Sequence, residues 1–269
     1  MNKFGFIGTG NMGGALAKAA AKKLCGEDIL LANRTRKKAE VMAESLGCAA
    51  ADNCQVAAEC KYIFLGVKPQ MMAGMLAGIA PTLAARTDRF VLVSMAAGLT
   101  MEAICGMAGG QYPVIRLMPN TPADIGEGMT LYAVNELVTE EELAEFLEVM
   151  SGAGRFDRLE EKLIDAGSAV SGCGPAFAYL MIEALADGGV ACGLPRAKAM
   201  EYASQMMAGA AKMVLATGKH SGELKDAVCS PGGSTIAGVR ALEEAGFRAA
   251  GINAVIAAYE KTKELGKQK

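Results

Sequence analysis

Two short stretches of this chain of 269 residues carry residue types that hold anions through bare backbone. The first is Gly8-Thr9-Gly10-Asn11-Met12-Gly13, a G-x-G-x-x-G pattern. The second is Ser230-Pro231-Gly232-Gly233-Ser234-Thr235, about 220 residues further on. Glycine leaves the peptide N–H uncovered, and the start of a helix leaves its first N–H groups unpaired at the positive end of the dipole. In the first stretch, Gly8 permits a tight turn, Gly10 lets the backbone reach a pyrophosphate, and Gly13 lets helix and strand pack closely. An apolar run, Phe4–Ile7, precedes it and a helix-like run follows. That strand–turn–helix setting is what a dinucleotide site requires. The alternative is a glycine-rich turn without a ligand.

The next apolar run ends in "LLANRT", residues 30–35. A site for NAD places Asp or Glu there for the ribose hydroxyls. Asn33 and Arg34 stand there instead, followed by Thr35. Arginine pairs with a 2′-phosphate that a carboxylate would repel, so NADPH is favoured and NADH stays open. The alternative is a surface arginine near a strand end. Further along, "LGVKPQ" (65–70) offers Lys68 to the cofactor phosphates or ribose, and "SMAAGLT" (94–100) leaves space beside Ala96 and Ala97. The loop "RLMPNTPADIGEG" (116–128) can wall a nicotinamide, and its Asn120 is counted with the cofactor positions.

A carbonyl reductase needs a proton donor. His220 is the only histidine and sits in a polar stretch that reads as an exposed loop; no Tyr-x-x-x-Lys occurs. The segment "SGCGPAFAYLMI" invites comparison with β-hydroxyacid dehydrogenases, which place a catalytic lysine and asparagine after a similar turn. Those places hold Ala178 and Ile182. A protonated imine, by contrast, already holds its proton, so the protein need only orient and polarise it. The second glycine turn then reads as a cradle for a substrate carboxylate, with the Thr235 hydroxyl in reach of a ring nitrogen. The competing reading is that Ser234 or Thr235 merely caps a helix.

These residues need a scaffold that brings them to one place. In the first half, short apolar runs (4–7, 29–32, 62–67, 90–94, 114–117) alternate with helical stretches (12–24, 37–46, 71–83, 101–107). Such alternation implies a doubly wound parallel sheet covered on both faces, an α/β Rossmann-like fold. Residues 129–133 and 155–158 are expected as added edge strands, and "TEEELAEFLEVM" between them has a helix-start signature. Beyond about residue 160 strand signals fade. Helices are expected from Pro175, from Pro195 to Gly218, and near 235–245 and 247–265. The expected division is therefore 1–158, the dinucleotide-binding domain, and 159–269, an all-α substrate-binding and dimerisation domain rich in Ala, Gly and Met. So much apolar surface on helices suits burial against a second subunit.

Composition narrows the partners. The chain is 52% apolar with a net charge of −2, which offers no electrostatic footprint for nucleic acid or an anionic membrane. Eight cysteines include no Cys-x-x-Cys, and the six-residue spacing of Cys48, Cys54 and Cys60 fits no zinc framework. No metal is expected; most cysteines read as small apolar fillers, and unpaired thiols suit a reducing cytoplasm. No uninterrupted run of about 18 apolar residues occurs, so no membrane span is expected. The nearest, 169–193, carries Pro175, Glu183 and Asp187. Residues 1–23 have some features of a secretory leader, but Gly8, Thr9, Gly10 and Asn11 interrupt its apolar core.

In order and spacing, "FIGTGNMGGAL", "GVKPQ", "SMAAGLT", "RLMPNTP", "SGCGPAFAYLMIEALADGGVACGLPR", "LKDAVCSPGGSTIAGVRALE" and "GFRAAGINAV" resemble the pyrroline-5-carboxylate reductase family over nearly the whole chain. The resemblance implies reduction of L-1-pyrroline-5-carboxylate to L-proline with NADPH or NADH, the last step of proline synthesis. It implies a Rossmann-like domain and a helical domain that dimerises by interleaving, with decamers possible. It carries over a substrate carboxylate on the backbone of Gly233, Ser234 and Thr235, with Gly232 and Ser230 beside it and the Thr235 hydroxyl on the imine nitrogen. The cofactor positions it implies are Gly8 to Gly13, Asn33 to Thr35, Asn53, Val67 to Pro69, and Ala96, Ala97 and Gly98. One departure is visible: where some members have a glutamate near His220, this chain has Gly218 and Lys219. Two other readings stand beside this one. One is an NADP-dependent reductase of another cyclic imine or a β-hydroxy acid, against which the missing lysine argues. The other is an NADPH-binding sensor, which would have no use for a second anion cradle.

Overall fold

The structure is a computed structural model that describes residues 3–267. It contains β1 (Phe4–Ile7), α1 (Asn11–Ala21), β2 (Ile29–Ala32), α2 (Arg36–Leu46), β3 (Ala49–Ala50), α3 (Asn53–Glu59), β4 (Tyr62–Leu65), α4 (Pro69–Ala85), β5 (Val91–Ser94), α5 (Met101–Ala108), β6 (Val114–Met118), β7 (Gly128–Val134), α6 (Glu140–Met150), β8 (Gly154–Arg158) and α7 (Glu161–Ser171). Five helices follow: α8 (Gly174–Ala191), α9 (Arg196–Thr217), α10 (Ser221–Ala227), α11 (Ser234–Glu244) and α12 (Phe247–Lys267).

The strands form one sheet in the order β3-β2-β1-β4-β5-β6-β7-β8. Neighbours run parallel except β6 and β7. Strand residues alternate between two cores. Phe4 and Phe6 face α1, α2 and α6, while Ile7 faces the other side with α3, α4 and α5. Rings stack across the β1–β4 pair: Phe4 on Tyr62 at 4.5 Å and Phe6 on Phe64 at 4.2 Å between centroids. β1 pairs with β2 on one edge and β4 on the other, so connections leave it in opposite directions. A crevice opens beyond the carboxyl ends at such a switch point.

Several expectations change. β4 stops at Leu65 rather than at 67, which frees Gly66, Val67 and Lys68 as a loop. β7 is an interior strand because β8 pairs beyond it, so of the two strands expected at an edge β8 alone lies there. β3, α3, α7 and α10 are additional; β3 spans two residues and α3 and α10 seven each, too short for a readable period. α6 starts as expected: Thr139 Oγ1 accepts from the Glu142 N–H, and Glu142 Oε2 accepts from the Thr139 N–H. Of the eight free cysteines Cys60 and Cys105 are buried and Cys48 packs against a core, so these three act as fillers, whereas Cys25, Cys54 and Cys192 are exposed. Burial pushes the Cys60 thiol up to about 12, which keeps it protonated and unreactive.

The chain forms two compact units, 1–173 with the end of α12 from Ala258, and 174–257. The first compact unit runs on to Cys173 because α7 packs on β7, with Gly167 against Leu131. Arg116 of β6, only 2% exposed, meets Asp165 of α7 at 2.5 Å and Glu161 at 3.5 Å. In the second unit α8 packs on α9, but its buried apolar side chains are Ala186, Ala199 and Ala203. Tyr179, Leu180, Met206, Met213 and Leu215 stay exposed. The stretch Glu161–Ala191 is long and apolar enough to cross a membrane by length and composition, with 11% of its window buried.

The amino ends of the strands carry a polar cluster. Arg89 reaches Glu142 at 2.8 Å, Lys61 reaches Glu145 at 2.7 Å, and the Tyr62 hydroxyl donates to the Glu142 carbonyl at 2.8 Å. Burial favours the neutral form of Glu142, but the Arg89 guanidinium, the Thr139 N–H and the Lys61 charge outweigh it and hold the carboxyl below its usual range. A carboxylate whose folded pKa is depressed stabilises above its unfolded pKa and loses that contribution as pH falls through the folded value. Glu142→Gln should therefore cost about 2 kcal/mol near pH 7, the scale of a hydrogen bond to a charged group. Chemical denaturation at a series of pH values should show that deficit shrinking below about pH 4, the ordinary range of a glutamate.

Candidate functional site

The Gly8–Gly13 turn lies at the switch point between β1 and α1. Gly8 takes φ +104°, its N–H donates to Ala32 O at 2.8 Å, and a Cβ there would stand 2.5 Å from the Gly66 carbonyl oxygen. A Cβ on Gly13 would run into Gly8 O. Gly10 differs: a Cβ on it would meet nothing within 4 Å. The structure thus separates two glycines that close the backbone from one that leaves open space. Gly10 is the N-cap of α1, with no side-chain cap and no acid in the first turn. The unpaired N–H groups of that turn and the positive end of the helix remain available to an anion.

Two clefts share Gly10, Asn33 and Arg34. One, of about 570 Å³, is also lined by Thr9, Asn11 and Met12 from the first turn, by Thr35 and Lys38, and by Lys18, which pairs with Asp124 at 2.6 Å. The other, of about 530 Å³, is bounded by Gly8, Asn53 and Val67 and by Met71 and Met75 on α4. Asn33 braces the junction. Its Nδ2 donates to Thr9 Oγ1 at 2.8 Å, and its Oδ1 accepts from the Thr35 N–H at 3.1 Å. Arg34 is exposed and reaches across to Met71 Sδ at 3.9 Å. One cleft is therefore largely apolar beside Asn53, its neighbour carries Lys18 and Lys38, and Arg34 borders both.

Other expected positions do not line these clefts. Lys68 is the exposed N-cap of α4 and Pro69 its first residue. Ala96, Ala97 and Gly98 form the turn after β5, with Ala96 1% exposed. Asn120 is committed to structure: its Nδ2 donates to Ser171 O and its Oδ1 accepts from the Met129 N–H, both at 2.9 Å. Its side chain therefore ties α7 and β7 together and has both polar ends engaged. Sequence reading missed Gly66, Lys38, Met71 and Met75. Lys38 closes the short cationic cluster from Arg34, and Met71 and Met75 are four apart on α4, so charge clustering and helical spacing were the available signals.

In the second unit, Ser230 to Gly233 form a turn closed by Gly233 N–H to Ser230 O at 3.0 Å, with Gly232 at φ +70°. The N-cap of α11 is Gly233, without a side-chain cap, and no acid stands in the first turn. Ser234 and Thr235 are thus the first residues of the helix, exposed, and neither acts as its cap. That removes the capping explanation for their hydroxyls. His220 is exposed and is the N-cap of α10, its Nδ1 accepting from the Gly222 N–H at 3.0 Å. Among the described residues no group of three or more His, Cys, Asp or Glu could hold a metal ion.

Comparison with known proteins covers both units. Residues 3–98 match the family described as NADP oxidoreductase coenzyme F420-dependent, and residues 161–265 that described as pyrroline-5-carboxylate reductase dimerisation. The chain is 42% identical to pyrroline-5-carboxylate reductase of Escherichia coli K12, with 98% of each chain covered. It is 40% identical to that of Pisum sativum, over 97% of this chain and 95% of the other. The crystal structure of Plasmodium falciparum pyrroline carboxylate reductase with NADP bound superposes with a TM-score of 0.89 at 33% identity, covering 99% and 98%.

The glycines of the first turn can be tested apart. Gly13→Ala should lower the melting temperature by several degrees, since overpacking costs about 1–3 kcal/mol. Gly10→Val should leave the melting temperature within about a degree, there being room for it, and weaken dinucleotide binding about tenfold or more by filling the approach to the α1 N–H groups. Calorimetric melting and fluorescence titration read the two effects separately.

Proposed function

We propose a reaction for this chain from one premise: it belongs to the pyrroline-5-carboxylate reductase family. The chain reduces L-1-pyrroline-5-carboxylate to L-proline, the closing step of proline synthesis. The dinucleotide, NADPH in preference to NADH, supplies the hydride. Gly8 to Gly13 receive the pyrophosphate on the bare start of α1. The open space beside Gly10 fits that group. Arg34, with Thr35 and Lys38 beside it, receives a 2′-phosphate, while Asn53 and Val67 bound the space for the adenosine. Lys68, Pro69, Ala96, Ala97 and Gly98 flank the remainder of the dinucleotide.

The observation that carries the substrate assignment is the uncapped start of α11. The N–H groups of Ser234 and Thr235 have no partner within the helix, and Gly232, Gly233 and Ser230 leave the approach open. A small carboxylate is held there by hydrogen bonds and the helix dipole. The Thr235 hydroxyl accepts from the protonated ring nitrogen. The chain then fixes the ring by its acid group and its nitrogen while hydride adds to the imine carbon. The C=N π pair becomes the amine lone pair, and the product takes a further proton from water. No side-chain acid is needed, in keeping with an exposed His220 whose Nδ1 is occupied at the head of α10.

The working form is a homo-oligomer, a dimer at least, with a second copy covering the apolar faces of α8, α9 and α12; a decamer is compatible. This favours a protein partner over lipid for the stretch 161–191, where Glu183 and Asp187 are exposed and Asp187 pairs with Arg196 at 2.5 Å. The reading places the enzyme in the cytoplasm, consistent with eight free thiols.

Steady-state rates with pyrroline-5-carboxylate test the reaction directly, and NADPH oxidation that does not depend on that imine would overturn it. Thr235→Ala should lower kcat/KM about 10- to 100-fold, the value of a positioned polar contact in the transition state, with NADPH affinity unchanged in titration. Arg34→Ala should raise KM for NADPH about tenfold, a lost charge-assisted contact, and leave KM for NADH nearly unaltered.

A further inference from the structure

The turn after β5 is gripped from two sides. Within the turn, the Leu99 N–H donates to Ala96 O at 3.4 Å, and Gly98 takes φ +73°. Against it lies the last turn of α12, which belongs to the same compact unit. A Cβ on Gly266 would stand 2.5 Å from Gly98 O, and one on Gly98 would stand 2.8 Å from Gly266 N and 3.0 Å from Thr262 O. Backbone meets backbone, so neither position has room for a side chain. The contact also reaches the glycine turn. Met95, which opens this segment, brings its methyl to 3.0 Å from a Cβ on Gly66 and 4.0 Å from one on Gly13. A displacement of the 95–98 segment is therefore felt where Gly8, Gly66 and Gly13 touch.

We propose that the end of α12, through Gly266 seated on Gly98, positions the nicotinamide half of the bound dinucleotide. The proposal rests on the cofactor reading of the preceding subsection. A dinucleotide lying across the switch point has its adenosine on the β2 side, at Arg34, and its other half beyond β4 and β5. The turn 95–98 stands at the carboxyl end of β5. Gly266 is then a positioning residue: it touches no ligand, and it fixes a turn that does. Residues far along the chain thus set the geometry of hydride delivery. A misplacement of about 1 Å in a reacting group lowers turnover by as much as 10²-fold.

The test compares two ligands on the full-length protein: NADPH, and adenosine 2′,5′-bisphosphate, which keeps the adenosine and its 2′-phosphate but lacks the nicotinamide half. Gly266→Val should weaken NADPH about tenfold and the bisphosphate less than about twofold, the scale of overpacking one tight contact. Gly266→Ala should show the same asymmetry at about threefold, which preserves the test if the valine variant folds poorly. A chain ending at Lys261 should match the valine variant, and Lys261→Ala, an exposed site, should change neither affinity. Equal weakening of both ligands would mean general loosening of the fold and overturn the proposal; so would unchanged NADPH affinity in Gly266→Val. Wild-type protein that binds neither ligand would instead overturn the cofactor reading, and this inference with it.

Discussion

The structure of the sheet unit depends on a close approach of backbones at one crossing. Gly8 lies against the carbonyl of Gly66, and Gly13 lies against the carbonyl of Gly8. Three connections, β1 to α1, β2 to α2 and β4 to α4, converge there, and no side chain larger than hydrogen fits between the first and third. The approach fixes the angle at which α1 leaves the sheet, and with it the direction in which its unpaired N–H groups point. Asn33 completes the junction by bonding Thr9 and the Thr35 N–H. The anion site is thus a by-product of how tightly the chain packs on itself.

The two ends of the strands divide the work. At the amino ends, Arg89, Glu142, Lys61, Glu145 and Tyr62 satisfy one another in a closed polar cluster. At the carboxyl end of β1, the first turn of α1 lacks both acids and a side-chain cap, and within the second unit the first turn of α11 lacks them too. Charges paired among themselves hold a fold together, whereas unpaired donors remain free to take up a ligand. Arg116 follows the first pattern inside the sheet: its pairing with Asp165 fastens α7, and with Asn120 on Ser171 it makes the loop 116–128 a structural tie.

Much of this was legible beforehand because it is written in local spacing. Gly8, Gly10 and Gly13 announce strand, turn and helix, and the capping box at Thr139 announces α6. The alternation of apolar runs announces the parallel sheet. What escaped was tertiary. Nothing near Asn120 in sequence says that both ends of its amide bond to α7 and β7, some of them about fifty residues away. Gly266 reads as a poor helix residue until Gly98 is placed beside it. α7 was not read as an element, since the boundary was set where strand signals fade; its packing, with Gly167 against Leu131, joins it to the sheet unit. At the second turn two roles were open to the hydroxyls of Ser234 and Thr235, and the structure removes one because Gly233 holds the cap position.

The unit 174–257 has a consequence for how the protein holds together. Three alanines are too little buried hydrocarbon to offset the chain entropy of its helices. Its order must then be drawn from surface shared with another copy, and its stability becomes a function of protein concentration. Dilution below the dissociation constant would loosen these helices while the sheet unit, with its own two-sided core, stays intact. Such a chain unfolds in two stages, and only the first is bimolecular in reverse.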